Sequence, residues 1–105
     1  MSVLKITKDN FFNEAMSSDK PVLLDFYADW CGPCRMMGPI VEEIAKERGD
    51  IKVGKINVDE EPELSATFGV MSIPMLAVMK EGKLVYTSVG ARPKEQILDI
   101  LQSAK

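Results

Sequence analysis

The chain has 105 residues, with 13 Lys plus Arg, 16 Asp plus Glu, no His and a net charge of −3, a length that fits a single domain, 1–105, with its own core. The acidic balance offers no basic face to nucleic acid or an anionic membrane, and 46% hydrophobic with 28% charged residues is a globular composition rather than a disordered one. Without histidine, no Ser-His-Asp triad, Cys-His pair or His-ligated metal can form.

Val3, Leu4 and Ile6 open a possible strand. Thr7 reads as the N-cap of a helix over 8–17 with Phe11, Phe12, Ala15 and Met16 on one side, and Asp19-Lys20-Pro21 ends it. Val22 to Ala28 is apolar on both alternating faces, the mark of a central strand covered twice, with Asp25 as its one polar member. Residues 33–48 read as a helix that buries Met36, Met37, Ile40, Val41, Ile44 and Ala45, starts at Pro33, stops at Gly49 and is kinked by Pro39. Ile51 to Val58 reads as a strand, and Glu61 to Phe68 as a short helix ended by Gly69. Met75 to Met79 and Leu84 to Val89 flank Lys80-Glu81-Gly82-Lys83 as a hairpin, and Pro93 starts a last helix with Ile97, Ile100, Leu101 and Ala104 at helical spacing. Helices alternating with strands, then a hairpin, imply an α/β fold with a mixed sheet covered on both faces.

The first twenty residues hold no long apolar stretch of the secretory kind, and the longest apolar or Pro run, Ile73 to Met79, is too short to cross a bilayer. The expected compartment is the cytoplasm, where structural disulfides are rare. Cys31 and Cys34 nevertheless stand as a pair in Trp30-Cys31-Gly32-Pro33-Cys34, at the junction of the central strand and the long helix. A helix start supplies free N–H groups that stabilise a thiolate, the reactive form of cysteine. Sulfurs three residues apart on a helix can meet, and the ring they close is too small to be explained as a stability device. A reversible disulfide is favoured over half of a zinc site, which lacks further Cys or any His, and over an inert core pair, which the flanking Trp, Gly and Pro do not suit.

The run Asp25-Phe26-Tyr27-Ala28-Asp29-Trp30-Cys31-Gly32-Pro33-Cys34-Arg35, with Pro39, Lys55-Ile56-Asn57-Val58-Asp59, Ile73-Pro74 and Gly90, resembles the thioredoxin family over essentially the whole chain. The resemblance implies a five-stranded mixed sheet flanked by four helices and a protein-disulfide reductase, a dithiol electron carrier working without metal or cofactor as a monomer. A more exposed Cys31 attacks a partner protein's disulfide, and a more buried Cys34 resolves the mixed disulfide. Gly32 and Pro33 between them carry no charge, which leaves the reduced pair less stabilised and the protein a better electron donor. The resemblance also implies a recycling partner, a thioredoxin reductase that is an NADPH-dependent flavoprotein.

Asp25 is either an acid tied to a polar crevice or, as the resemblance favours, a buried base that takes the proton of Cys34. Lys55 is either its neighbour or a solvated strand-edge cation. Trp30, Ile73, Pro74 and Gly90 are implied to receive substrate, with Pro74 in a cis bond to Ile73, opposite the cysteines. Asp59-Glu60-Glu61 reads as a helix-start charge cluster without chemistry. Tyr27, Arg35 and Met75 depart from the family's commoner Trp, Lys and Thr. Met75 is placed beside the substrate groove, where it bears on partner choice, and Met71 and Met75 are read as adaptable contacts around Ile73-Pro74.

Overall fold

The computed structural model describes residues 3–104; residues 1, 2 and 105 of the expected domain lie outside them. Strands β1 (Leu4–Lys5), β2 (Val22–Tyr27), β3 (Lys52–Asn57), β4 (Met75–Lys80) and β5 (Lys83–Val89) form one sheet in the order β1-β3-β2-β4-β5. β3 runs parallel to β1 and β2, while β4 is antiparallel to β2 and β5. A π-helical segment (Phe12–Met16) and helices α1 (Gly32–Glu47), α2 (Pro62–Thr67) and α3 (Lys94–Ser103) complete the expected mixed sheet with four helices.

The two faces follow from strand alternation. Leu23, Val53, Leu76 and Val78 pack under α1 and α3 through Met37, Val41, Ile44 and Ile97. Val22, Leu24, Phe26, Ile56 and Ala77 pack on the other face against Ala15 of the π-helical segment and Leu64 of α2. Each of these large β2 side chains is almost wholly buried, and burial of each contributes roughly 1.5–3 kcal/mol. Asp25 shares the α1 side with Leu23, so the one carboxyl of the strand lies beneath the start of the long helix. Gly54 permits a close approach in the sheet: a Cβ there would stand 2.6 Å from Cγ1 of Ile6.

The hairpin closes through Glu81 (φ 53°) and Gly82 (φ 77°). Two left-handed residues match the right-handed twist of the flanking strands.

Several expectations are corrected. The expected helix over 8–17 is a capped turn followed by the π-helical segment. Thr7 Oγ1 accepts the Asn10 N–H at 3.4 Å while Asn10 Oδ1 accepts the Thr7 N–H at 2.8 Å, a reciprocal cap. The Ser17 N–H then bonds the Phe12 carbonyl, five residues back. The wider turn leaves Phe12 66% exposed while Phe11 and Ala15 pack inward. Met36 is likewise exposed, because one residue on a helix turns about 100° and carries it off the stripe of Cys34, Met37, Val41, Ile44 and Ala45. Helix α1 continues through Pro39, in line with its expected span of 33–48. The proline lies on the exposed side, where water can take the Arg35 carbonyl that its ring leaves without a donor.

Candidate active site

β2 ends at Tyr27, and the turn Ala28-Asp29-Trp30 is closed by the Cys31 N–H on the Ala28 carbonyl at 3.2 Å. Cys31 is the N-cap of α1, in extended backbone, with its Sγ accepting the Cys34 N–H at 3.2 Å. Pro33 fits the first helical turn, where a missing N–H removes nothing. Cys31 and Cys34 are joined as a disulfide, with Cα atoms 5.2 Å apart. Among the described residues no cluster of three or more His, Cys, Asp or Glu is assembled to hold a metal ion.

The expected difference in exposure between the two cysteines is corrected. In the disulfide each is 4% exposed, packed with Ala28 against Tyr27, Val58 and Ile73. Their asymmetry lies in their neighbours. Cys31 meets the helix start, whereas Cys34 lines a cleft of about 280 Å³ shared with Asp25, Tyr27, Arg35, Gly38 and Lys55.

Asp25 is 3% exposed, and its Oδ1 has no hydrogen-bond partner among the described residues. Burial raises its pKa from 3.8 to about 7, against a smaller opposing pull from the Lys55 cation. Lys55 is the register partner of Asp25 across the parallel β2–β3 ladder, on the same sheet face. It is half-buried, with Nζ 5.8 Å from the Tyr27 ring centroid. The structure thus brings Lys55 to the cleft rather than to a solvated edge.

Trp30 stands 68% exposed beside Cys31, and its Nε1 donates to Asp59 Oδ2 at 2.8 Å. Asn57, at the end of β3, accepts the Asp59 N–H on its Oδ1 at 2.9 Å and sets that turn. Asp59, read from sequence as charge without chemistry, is therefore the residue that holds the indole. Nothing local in the sequence signals a bond across 29 positions.

The Ile73–Pro74 bond is cis, as expected. Ile73 packs against the cysteine pair, and the Pro74 carbonyl accepts the Gly90 N–H at 2.8 Å. Gly90 sits at φ 100°, a conformation that L side chains rarely adopt. Met71 is 95% exposed next to this turn. Met75 is buried, with Phe26 and Val89 as its register partners in the sheet, which corrects its reading as an adaptable contact: its side chain packs the core. Among the described residues no helix is long and apolar enough to cross a membrane.

The family model described as Thioredoxin matches residues 2–103. The chain is 50% identical over 99 residues to a thioredoxin of Alicyclobacillus acidocaldarius, covering 90% of this chain and 94% of that one. It is 49% identical over 100 residues to one of Listeria monocytogenes, covering 94% and 95%. A thioredoxin of Bacillus subtilis is 47% identical over 102 residues, with 96% of each chain covered.

Proposed function

The chain belongs to the thioredoxin family and is a thiol-disulfide oxidoreductase that reduces protein disulfides, and we propose that Cys31 is its attacking sulfur, Cys34 its resolving sulfur and Asp25 the proton acceptor for Cys34. The Cys31 thiolate forms a bond to one sulfur of the partner's disulfide, and the other partner sulfur leaves as a thiolate. Cys34, deprotonated by Asp25, then attacks Cys31 Sγ and expels the second partner sulfur. The partner gains two electrons, and the Cys31–Cys34 disulfide forms.

The observation that carries this division of labour is the sharing of one cleft by Cys34 and Asp25, whose carboxyl titrates near 7. A base poised near working pH suits proton transfer from a thiol. Cys31, capping α1, has the N–H groups that favour its thiolate. Gly32 and Pro33 bring no charge to stabilise the reduced pair further, which supports a reducing direction. Ile73 packs against the cysteines and Trp30 precedes Cys31; with Pro74 and Gly90, which are bonded to each other, they are read as the edge that receives an extended partner segment, with backbone pairing along Ile73. Lys55 tunes Asp25.

The family works with disulfide substrates and a reductase. For this chain we assign an NADPH-dependent flavoprotein as the reductase, a monomeric single domain over 1–105 as the working form, and the cytoplasm as the compartment. Stopped-flow reduction of a protein disulfide tests the roles. Asp25→Asn keeps the rate of the first attack and slows resolution of the mixed disulfide. Slowed attack with unchanged resolution would move Asp25 out of the base role.

A further inference from the structure

The loop Gly90-Ala91-Arg92 lies between the cis proline and α3, and its fastening is unusual. At one end the Gly90 N–H bonds the Pro74 carbonyl at 2.8 Å. At the other end Arg92 precedes Pro93, the N-cap of α3, and an N–H ahead of a helix start has no intrahelical acceptor. That N–H instead donates to the thioether sulfur of Met37, at 3.4 Å. Met37 is wholly buried in α1, one turn beyond Cys34, between Leu23, Val41 and Ile97. The Arg92 side chain adds two bonds, from Nε to the buried Ser88 hydroxyl and from Nη1 to Gln96 Oε1.

A thioether is a weak acceptor, and core methionine positions are ordinarily interchangeable with leucine. Here the sulfur accepts from a part-buried backbone donor, and a leucine would take that acceptor away. We infer that Met37 is a positioning residue for substrate: through its sulfur it ties the Gly90–Arg92 loop to the helix that carries the dithiol, and so holds the edge that receives the partner protein at a fixed distance from Cys31. The inference rests on the reading that Gly90 borders the docking edge. It assigns to a core methionine a part in partner affinity rather than in sulfur chemistry.

The variant is Met37→Leu, which conserves volume. Amide hydrogen exchange by NMR reads the bond itself, and steady-state reduction of a protein disulfide and of a small aromatic disulfide reads its consequence. In the wild-type protein the Arg92 amide is protected; in Met37→Leu it exchanges about tenfold faster while α1 amides keep their protection. KM for the protein disulfide rises about three- to tenfold with kcat unchanged, and the small disulfide, which needs no docking edge, is reduced at the wild-type rate. An unprotected Arg92 amide in the wild-type protein overturns the inference even if the variant fails to fold. Equal loss of rate on both disulfides also overturns it, by placing Met37 in support of the sulfurs. Faster Arg92 exchange with unchanged KM overturns it through its premise, since the loop would then be free of the docking edge while the reductase chemistry stands.

Discussion

Asp25 and Lys55 are register partners on adjacent parallel strands, yet no hydrogen bond joins them: Asp25 Oδ1 has no partner, and Lys55 reaches toward the Tyr27 ring. The cation moderates the cost of the buried carboxyl without removing it. A pKa moved from 3.8 to about 7 means that the ionised form destabilises the fold by roughly 4 kcal/mol.

The pH dependence of stability follows from the direction of that shift. Between about pH 4 and 7 the folded chain binds the Asp25 proton and the unfolded chain does not, so stability falls as pH rises through this window and levels above it. Asp25→Asn removes the effect. Urea unfolding of the oxidised protein should show the variant more stable than wild type by about 2–4 kcal/mol at pH 8, with the gain shrinking toward zero near pH 4.

Removal of the neighbouring cation moves the carboxyl in the opposite sense from Lys55's own pull. Lys55→Met should raise the Asp25 pKa above its wild-type value, because the lowering contribution is lost and desolvation is left unopposed. A carboxyl-carbon NMR titration of the two proteins reads the change, and an unchanged midpoint would deny Lys55 its tuning role.

The two sulfurs should separate cleanly by mutation. Cys34→Ser accumulates mixed disulfides through Cys31, since the attack still occurs and nothing resolves it, whereas Cys31→Ser does not. Non-reducing gels of extracts carrying each variant make the comparison. Equal adducts from both would reverse or dissolve the assignment.

Trp30 is the single tryptophan of the chain, so its fluorescence reports its anchoring directly. Asp59→Ala loses the acceptor of the indole N–H. Fluorescence anisotropy should fall, and KM for a protein disulfide should rise about two- to fivefold, as for an exposed hydrogen bond of modest worth. A rigid indole in the variant would mean that packing alone holds the ring.

Gly54→Ala should destabilise the fold by about 1–3 kcal/mol, because the added methyl meets Ile6 at 2.6 Å and Leu24 at 3.3 Å where β1, β2 and β3 run together. A lowered urea midpoint with unchanged reductase activity of the folded fraction is the expected result.

Much of this architecture is legible before any coordinates. Val22 to Phe26 is apolar on both faces, Asp25 excepted, because both faces are covered, and the cysteine spacing after that strand marks the helix start. What the linear pattern does not carry is which distant groups meet. Asp59 grips Trp30 and Met37 holds Arg92 across tens of positions, and no periodicity encodes either bond. Composition along a segment also gives a face and not its edge: Met36 and Phe12 belong to apolar stretches, yet the rotation of a single residue sends each to solvent, while Met75 is buried where β4 pairs with Phe26. The nearly equal burial of Cys31 and Cys34 in the disulfide lies below what residue order can express.

The reversal of direction between β2 and β4 has a consequence for how the protein comes into being. Because Phe26 pairs with Met75, the end of β2 and the beginning of β4 lie at the same rim of the sheet, and the dithiol meets the Ile73-Pro74 turn only there. A ribosome delivers Cys31 and Cys34 well before β4 and β5 exist. During that interval the thiols sit on a nascent segment whose long-range pairing has yet to form, open to any oxidant or stray sulfur. If the Ile73-Pro74 edge receives partners as proposed, selectivity for them arrives with the last third of the chain, when the antiparallel hairpin docks and closes the rim. Two fragments divided between α2 and β4 should each lack it, and should recover it together on reassembly of the sheet.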